Sequence, residues 1–96
     1  MVNTKNMVLG ISDVYKGSVN SSQIRVAEVF RPALQRNAPS IVIAHNHPSG
    51  NPEPSQDDIA ITKQLVEAGK IIGITVHDHI IFSGQSFASF AERGLI

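Results

Sequence analysis

Four side chains able to act at a metal crowd the middle of this sequence. They lie within Ala44-His45-Asn46-His47-Pro48-Ser49-Gly50-Asn51-Pro52-Glu53-Pro54-Ser55-Gln56-Asp57-Asp58, and they are His45, His47, Ser55 and Asp58. Two imidazoles and one carboxylate make a three-ligand set, His45, His47 and Asp58, with room for a water. Zinc takes imidazole nitrogen and carboxylate oxygen at about 2.0–2.2 Å, and its catalytic sites commonly leave one position to water. A water held there drops in pKa from about 15.7 to about 7, which supplies hydroxide at neutral pH. Iron(II) accepts the same 2-His-1-carboxylate set, so the ligand types alone leave the metal open.

The elements that must position these residues are legible on either side. Ser40-Ile41-Val42-Ile43-Ala44 is a short apolar, β-branched run that reads as a buried strand. Side chains at i and i+2 share a strand face, so His45 and His47 point together off its end. A Gly/Pro-rich loop folds the chain back, and a helix then opens with Asp58 in its first turn. A blander reading stands beside this one. Ser55 followed three residues later by Asp58 is close to a capping box, in which both groups satisfy the open N–H groups of a helix start. The two readings are compatible, because capping orients the helix that carries Asp58. The tripeptide His45-Asn46-His47 also suggests the nuclease nicknamed for it, but that site is a dispersed ββα-metal motif, and three adjacent letters do not make one.

Composition narrows the setting. Ninety-six residues make one small domain, 1–96, expected to bury roughly 60–65 % of its unfolded surface. Lys+Arg and Asp+Glu both number 8, so there is no basic tail or stripe for nucleic acid or a membrane surface. With no cysteine, disulfides, thiol nucleophiles and cysteine-based zinc sites are excluded. No apolar run approaches the ~20 residues of a membrane helix, and the N-terminus has no signal-peptide pattern, so a cytoplasmic protein is expected.

Along the chain, 1–6 reads as a polar turn and Met7–Lys16 as a long strand, with Gly10 as a candidate bulge. Such a turn wants a strand before it, so the domain is expected to lack its first strand, and the open edge favours self-association into a homo-oligomer. After a loop at 17–22, Ser22 caps a helix over about Gln23–Asn37, with an apolar stripe of Ile24, Ala27, Phe30, Ala33 and Leu34, and Pro32 inside it predicts a bend near Phe30. A second helix over Gln56–Ala68 buries Ile61, Leu65 and Ala68, and Gly69 is its expected left-handed stop. Ile71–Val76 and His79–Phe82 read as two strands broken around His77-Asp78, followed by a short edge strand near Phe87 and a helical turn near Ala91. The order suggests an α/β domain with a mixed, mostly antiparallel sheet flanked by helices. His77-Asp78-His79 repeats the His-x-His spacing, but no carboxylate follows as Asp58 does, and alternating burial explains the pattern without a ligand role.

His45-x-His47, seven residues, then Ser55-x-x-Asp58 resembles the JAMM motif of the MPN+ metallopeptidases. The surrounding string resembles their bacterial RadC branch: Ala33-Leu34, Ala44 to Gly50, Pro54-Ser55, Leu65 to Gly69, Gly73-Ile74, Asp78 to Ile81 and Glu92 to Leu95. The resemblance covers nearly the whole chain. It implies the MPN, cytidine-deaminase-like fold, zinc (Zn2+) held by His45, His47 and Asp58, and a peptide or protein substrate whose amide carbonyl is attacked by water activated at the metal. It gives Ser55 the role of donating its hydroxyl to the developing oxyanion, and Asp78-His79 a fold role or a contact to a ligand imidazole. The glutamate that takes the proton from water lies, in the family, before the point where this chain begins. Glu28 is the only glutamate ahead of His45 and is the remaining candidate, although the family shows its segment as an ordinary helix. Two other classes stay open: a non-catalytic binding module stabilised by its metal, and a DNA-repair-associated protein, which the neutral charge argues against for this domain alone.

Overall fold

The alternating apolar and polar runs condense into strands and helices over residues 6–11 and 21–96, which are the residues that the structure, a computed structural model, describes. In chain order these are β1 (Asn6–Gly10), a 3-10 turn (Ser21–Gln23), α1 (Val26–Gln35), β2 (Ser40–Asn46), α2 (Gln56–Ile72), β3 (Thr75–Ser83) and β4 (Ser86–Ser89). The turn expected at the N-terminus lies almost wholly outside the described residues, as do most of the loop at 17–22 and the far half of the strand expected over Met7–Lys16; β1 itself ends at Gly10.

One four-stranded sheet runs in the order β1-β2-β3-β4. It is mixed, as expected of an α/β domain, but the expected antiparallel majority is corrected. β1 pairs with β2 in parallel, β2 with β3 in parallel, and β3 with β4 antiparallel. The reason lies in the connections. A parallel neighbour requires a crossover, and α1 and α2 supply one each, whereas β3 and β4 are joined by the tight turn at Gly84-Gln85.

Both helices pack on the same face of the sheet. A single core holds Leu9, Ile41, Ile43 and Val76 from the strands, Val29, Phe30 and Ala33 from α1, and Ile61 and Leu65 from α2. Successive right-handed crossovers that advance across a sheet in one direction place their helices on one side, which accounts for this arrangement. The opposite face carries Val8, Phe82 and Phe87, all exposed, with Phe82 and Phe87 directly paired across β3 and β4.

Several expected boundaries move. α1 begins at Val26 rather than near Gln23, and Ser22 does not cap it, because Ser21–Gln23 form a separate 3-10 turn. With that start the buried stripe is Val29, Phe30 and Ala33, while Leu34 faces solvent; Pro32 is accommodated inside the helix. α2 runs on through Ile72, so Ile71 and Ile72 are exposed helical residues rather than the start of a strand. Its left-handed stop is Gly73, at φ 82, and not Gly69. Gly69 has a different reason to be glycine: a Cβ there would stand 2.2 Å from the carbonyl oxygen of Ile74.

β3 is continuous where a break was expected. Ile41 lies opposite Val76 and Val42 opposite Asp78, so His77 is an extra residue, a bulge. A bulge changes which face the following residues occupy. Val76 is buried before it, and His79, Ile81 and Ser83 are buried after it, while His77 is exposed. His77 and His79 therefore do not share a face, contrary to the simple alternation read from the sequence.

Candidate metal centre

β2 and the start of α2 bring three metal-ligating side chains to one point. His45 is on the core-facing side of β2, His47 follows its end, and Asp58 sits in the first turn of α2. One ligand atom from each lies within 4.8 Å of the others, and this is the only such group of three or more among the described residues. His45 Nδ1 is 3.6 Å from Asp58 Oδ1, and His47 Nε2 is 3.2 Å from Asp58 Oδ2. His45 and Asp58 are buried and His47 is partly open, so the point is approached from the His47 side.

Each group is held from behind. The backbone N–H of His47 donates to Phe82 O at 2.9 Å, and the Ser83 hydroxyl donates to the carbonyl of His47. His47 Nδ1 is 3.2 Å from the backbone carbonyl of Asn51, inside the loop. A carbonyl only accepts, so this nitrogen carries the proton, and in the neutral ring Nε2 presents a lone pair. That lone pair faces Asp58 Oδ2, an acceptor. Two acceptors this close repel unless a cation or a proton stands between them, and a divalent metal meets that demand for His45, His47 and Asp58 together. The donor set fits the ion.

Asp58 has a second task. Its Oδ2 accepts the Ser55 N–H at 2.8 Å, and Ser55 Oγ accepts the Asp58 N–H at 3.0 Å, which completes a capping box at the start of α2. The capping reading of Ser55 and Asp58 is met, and the cap leaves Asp58 within the group that could hold a metal. Ser55 Oγ uses a lone pair in the cap and keeps its own proton to donate. Glu28 lies in the first turn of α1 and does not belong to the His45, His47, Asp58 group.

Several contributors were not singled out in the sequence. Thr62 Oγ1 is 2.7 Å from the backbone carbonyl of Asp58 and 2.7 Å from His79 Nδ1. Its i+4 spacing from Asp58 was the available signal. The His79 ring stacks on Phe90, with centroids 4.6 Å apart, and against the His45 ring at 5.8 Å. The contact of His79 with His45 is thus ring against ring. Burial, reinforced by the neighbouring His45, pushes the His79 pKa down to about 4. Asp78 Oδ1 accepts the N–H groups of His79 and Ala91, and its Oδ2 accepts the Ser89 hydroxyl, which fastens the C-terminal turn to β3. Arg93 in that turn makes a bidentate pair with Glu53, at 2.8 and 2.7 Å, and so reaches the loop between the ligands; this holds the Glu53 carboxyl below its ordinary range.

No described helix is long and apolar enough to cross a membrane. Among curated proteins, the chain is 53% identical over 96 residues to a UPF0758 protein of Clostridium beijerinckii, covering 100% of this chain and 42% of that protein. It is 54% identical over 95 residues to a UPF0758 protein of Moorella thermoacetica and 52% identical over 95 residues to one of Bacillus cereus, in each case covering 99% of this chain and 42% of the relative. The chain thus spans less than half the length of these relatives. The family model described as RadC-like JAB domain matches residues 1–95, and the chain belongs to that family.

Proposed function

We propose that this domain is a zinc-dependent, metallopeptidase-like hydrolase that cleaves an amide bond in a peptide or protein. The observation that carries the reading is the convergence of His45, His47 and Asp58, with the His47 tautomer set so that Nε2 offers its lone pair toward the Asp58 carboxylate. Zinc bound there would act as a Lewis acid and supply hydroxide at neutral pH. His45 and His47 would hold the ion as neutral imidazoles and Asp58 as a carboxylate. Ser55, free to donate its hydroxyl proton, would stabilise the oxyanion of the attacked carbonyl, a role in which loss of one donor costs about 2.7–4 kcal/mol. The buried His45 and Asp58 exclude water from one side and leave the His47 side for substrate. A cytoplasmic setting, supported by the cysteine-free composition, belongs to the same reading.

The proton carrier remains the deciding element. Glu28 does not join the ligand group, and this favours a second reading: a binding module that keeps its metal for stability without turnover. A DNA-repair association would require contacts beyond this domain, given its balanced charge. Self-association through a sheet edge is a further component, and strictly monomeric elution at high concentration would remove it.

Metal content by plasma mass spectrometry tests the proposal, on wild type and His47→Ala purified in parallel. About one zinc per chain, lost in the variant, supports the centre; no metal in either, even after zinc is offered, overturns it. Chelator-sensitive peptide cleavage then separates the hydrolase from the module, and Glu28→Gln reports whether Glu28 carries the proton.

A further inference from the structure

We propose that His79 and Thr62 are positioning residues: a hydrogen-bond chain from β3 that holds the first turn of α2, and with it Asp58, in place for the metal. This rests on the metal-centre reading above.

The direction of the chain follows from counting protons. Thr62 Oγ1 stands 2.7 Å from two atoms, the Asp58 carbonyl oxygen and His79 Nδ1, and it has one proton to give. The carbonyl can only accept, so the hydroxyl donates there. His79 Nδ1 must then donate to Oγ1, and the ring is the Nδ1–H tautomer. The chain runs from His79 through Thr62 to Asp58. His79 reaches it because the bulge at His77 turns it inward beside His45. Bulges near active sites are known to re-aim side chains in this way. The ring is set further by Phe90, stacked at 12° between planes, and by its backbone N–H on Asp78 Oδ1 at 2.7 Å.

Core filling alone does not account for these residues. A buried imidazole costs free energy that an aromatic hydrocarbon of similar size avoids, unless its polar atoms are used. The His79 ring uses Nδ1 on the hydroxyl that supports the backbone of Asp58, while its Nε2 is buried without a hydrogen-bond partner among the described residues. Thr62 likewise spends its proton on the i−4 carbonyl, an arrangement mildly unfavourable in a helix. Valine would fill the same volume without the hydroxyl. Groups that orient ligands from behind typically contribute 10- to 100-fold to metal affinity.

The test uses the 96-residue chain and two ions, zinc and cobalt(II). Thr62→Val should weaken zinc binding about 10- to 100-fold in competition with a chromophoric chelator. It should also alter the visible absorption of the cobalt-loaded protein, and Thr62→Ser should restore both. Nitrogen NMR of the imidazoles in metal-free wild type should place the His79 proton on Nδ1. Zinc affinity and cobalt spectrum unchanged in Thr62→Val would overturn the proposal, as would a His79 proton on Nε2. If Thr62→Val does not fold, the wild-type NMR result still decides the hydrogen-bond chain. Failure of wild type to bind either ion would overturn the metal-centre reading itself, a failure distinct from an equal affinity in wild type and variant.

Discussion

Ser55 and Asp58 hold each other: Asp58 Oδ2 accepts the Ser55 N–H at 2.8 Å while Ser55 Oγ accepts the Asp58 N–H at 3.0 Å. The carboxylate that could hold a metal is therefore also the group that starts α2. Ser55→Ala should destabilise the fold by about 1 kcal/mol, the usual loss of an N-cap, while zinc stays bound. If the domain is a hydrolase, turnover should fall much further than stability. Urea denaturation beside metal analysis and a cleavage assay checks this, and loss of zinc in Ser55→Ala would contradict it.

Removing the metal should lower stability by mass action. A ligand that binds only the folded chain contributes about 4 kcal/mol when present at 1,000 times its dissociation constant. Excess chelator should therefore lower the melting temperature of wild type and leave His47→Ala unchanged, as followed by calorimetry. Coincident curves for wild type with and without chelator would count against the centre.

The buried His79 gives the metal-free protein a pH dependence of definite sign. Its pKa falls from 6.5 to about 4 on folding. The unfolded chain takes up a proton near 6.5 that the folded chain refuses until about 4, so between those values the unfolded state binds more protons. Stability attributable to His79 is thus full above the upper value and is lost as pH falls through the window, by up to about 1.4 kcal/mol per pH unit. His79→Phe should show a shallower decline between pH 7 and pH 5 in urea titrations. Equal slopes in the two proteins would refute the assignment.

Gly69→Ala tests the close approach of α2 to the turn that follows it. The added Cβ would stand 2.2 Å from the Ile74 carbonyl oxygen, so backbone must move. Overpacking of this kind costs about 1–3 kcal/mol. Gly73→Ala, strained instead by the positive φ at that position, makes the comparison, and both are read by denaturant midpoint.

Arg93 and Glu53 connect the C-terminal turn to the loop between His47 and Asp58. Their exposure makes the pair a weak contributor to global stability, so its effect should be local. Arg93→Glu should speed proteolytic nicking at 48–54, and adding Glu53→Arg should slow it again. Nicking at wild-type rates in Arg93→Glu would show that the loop is held by other contacts.

What the sequence disclosed follows from which periodicities it carries locally. His45 and His47 share a face because a strand repeats every two residues, and Asp58 is in the first turn because Ser55 marks the helix start; both relations are short-range. Strand direction was not legible from apolar runs alone, although helices placed between strands were the signal for parallel pairing. The end of α2 was misjudged because two glycines, Gly69 and Gly73, each resemble a stop, and only the contact with Ile74 distinguishes them. The bulge at His77 left no local mark. It exists in the pairing with β2, and without it the roles of His77, Asp78 and His79 are misassigned.

That bulge has a genetic consequence. In β3, inward and outward positions behave as a parity, and the extra residue at His77 stands between the inward Val76 and the inward His79, Ile81 and Ser83. Deleting His77 would return β3 to plain alternation with Val76, His79, Ile81 and Ser83 still inward, whereas deleting Ile80 would reverse the parity beyond it, sending Phe82 inward and Ile81 to solvent. Substitutions at His77 itself touch only an exposed side chain. Homologous genes should therefore vary freely in what they encode at this position, and can lose it as a single codon, while keeping the spacing from His79 to Ser83 fixed.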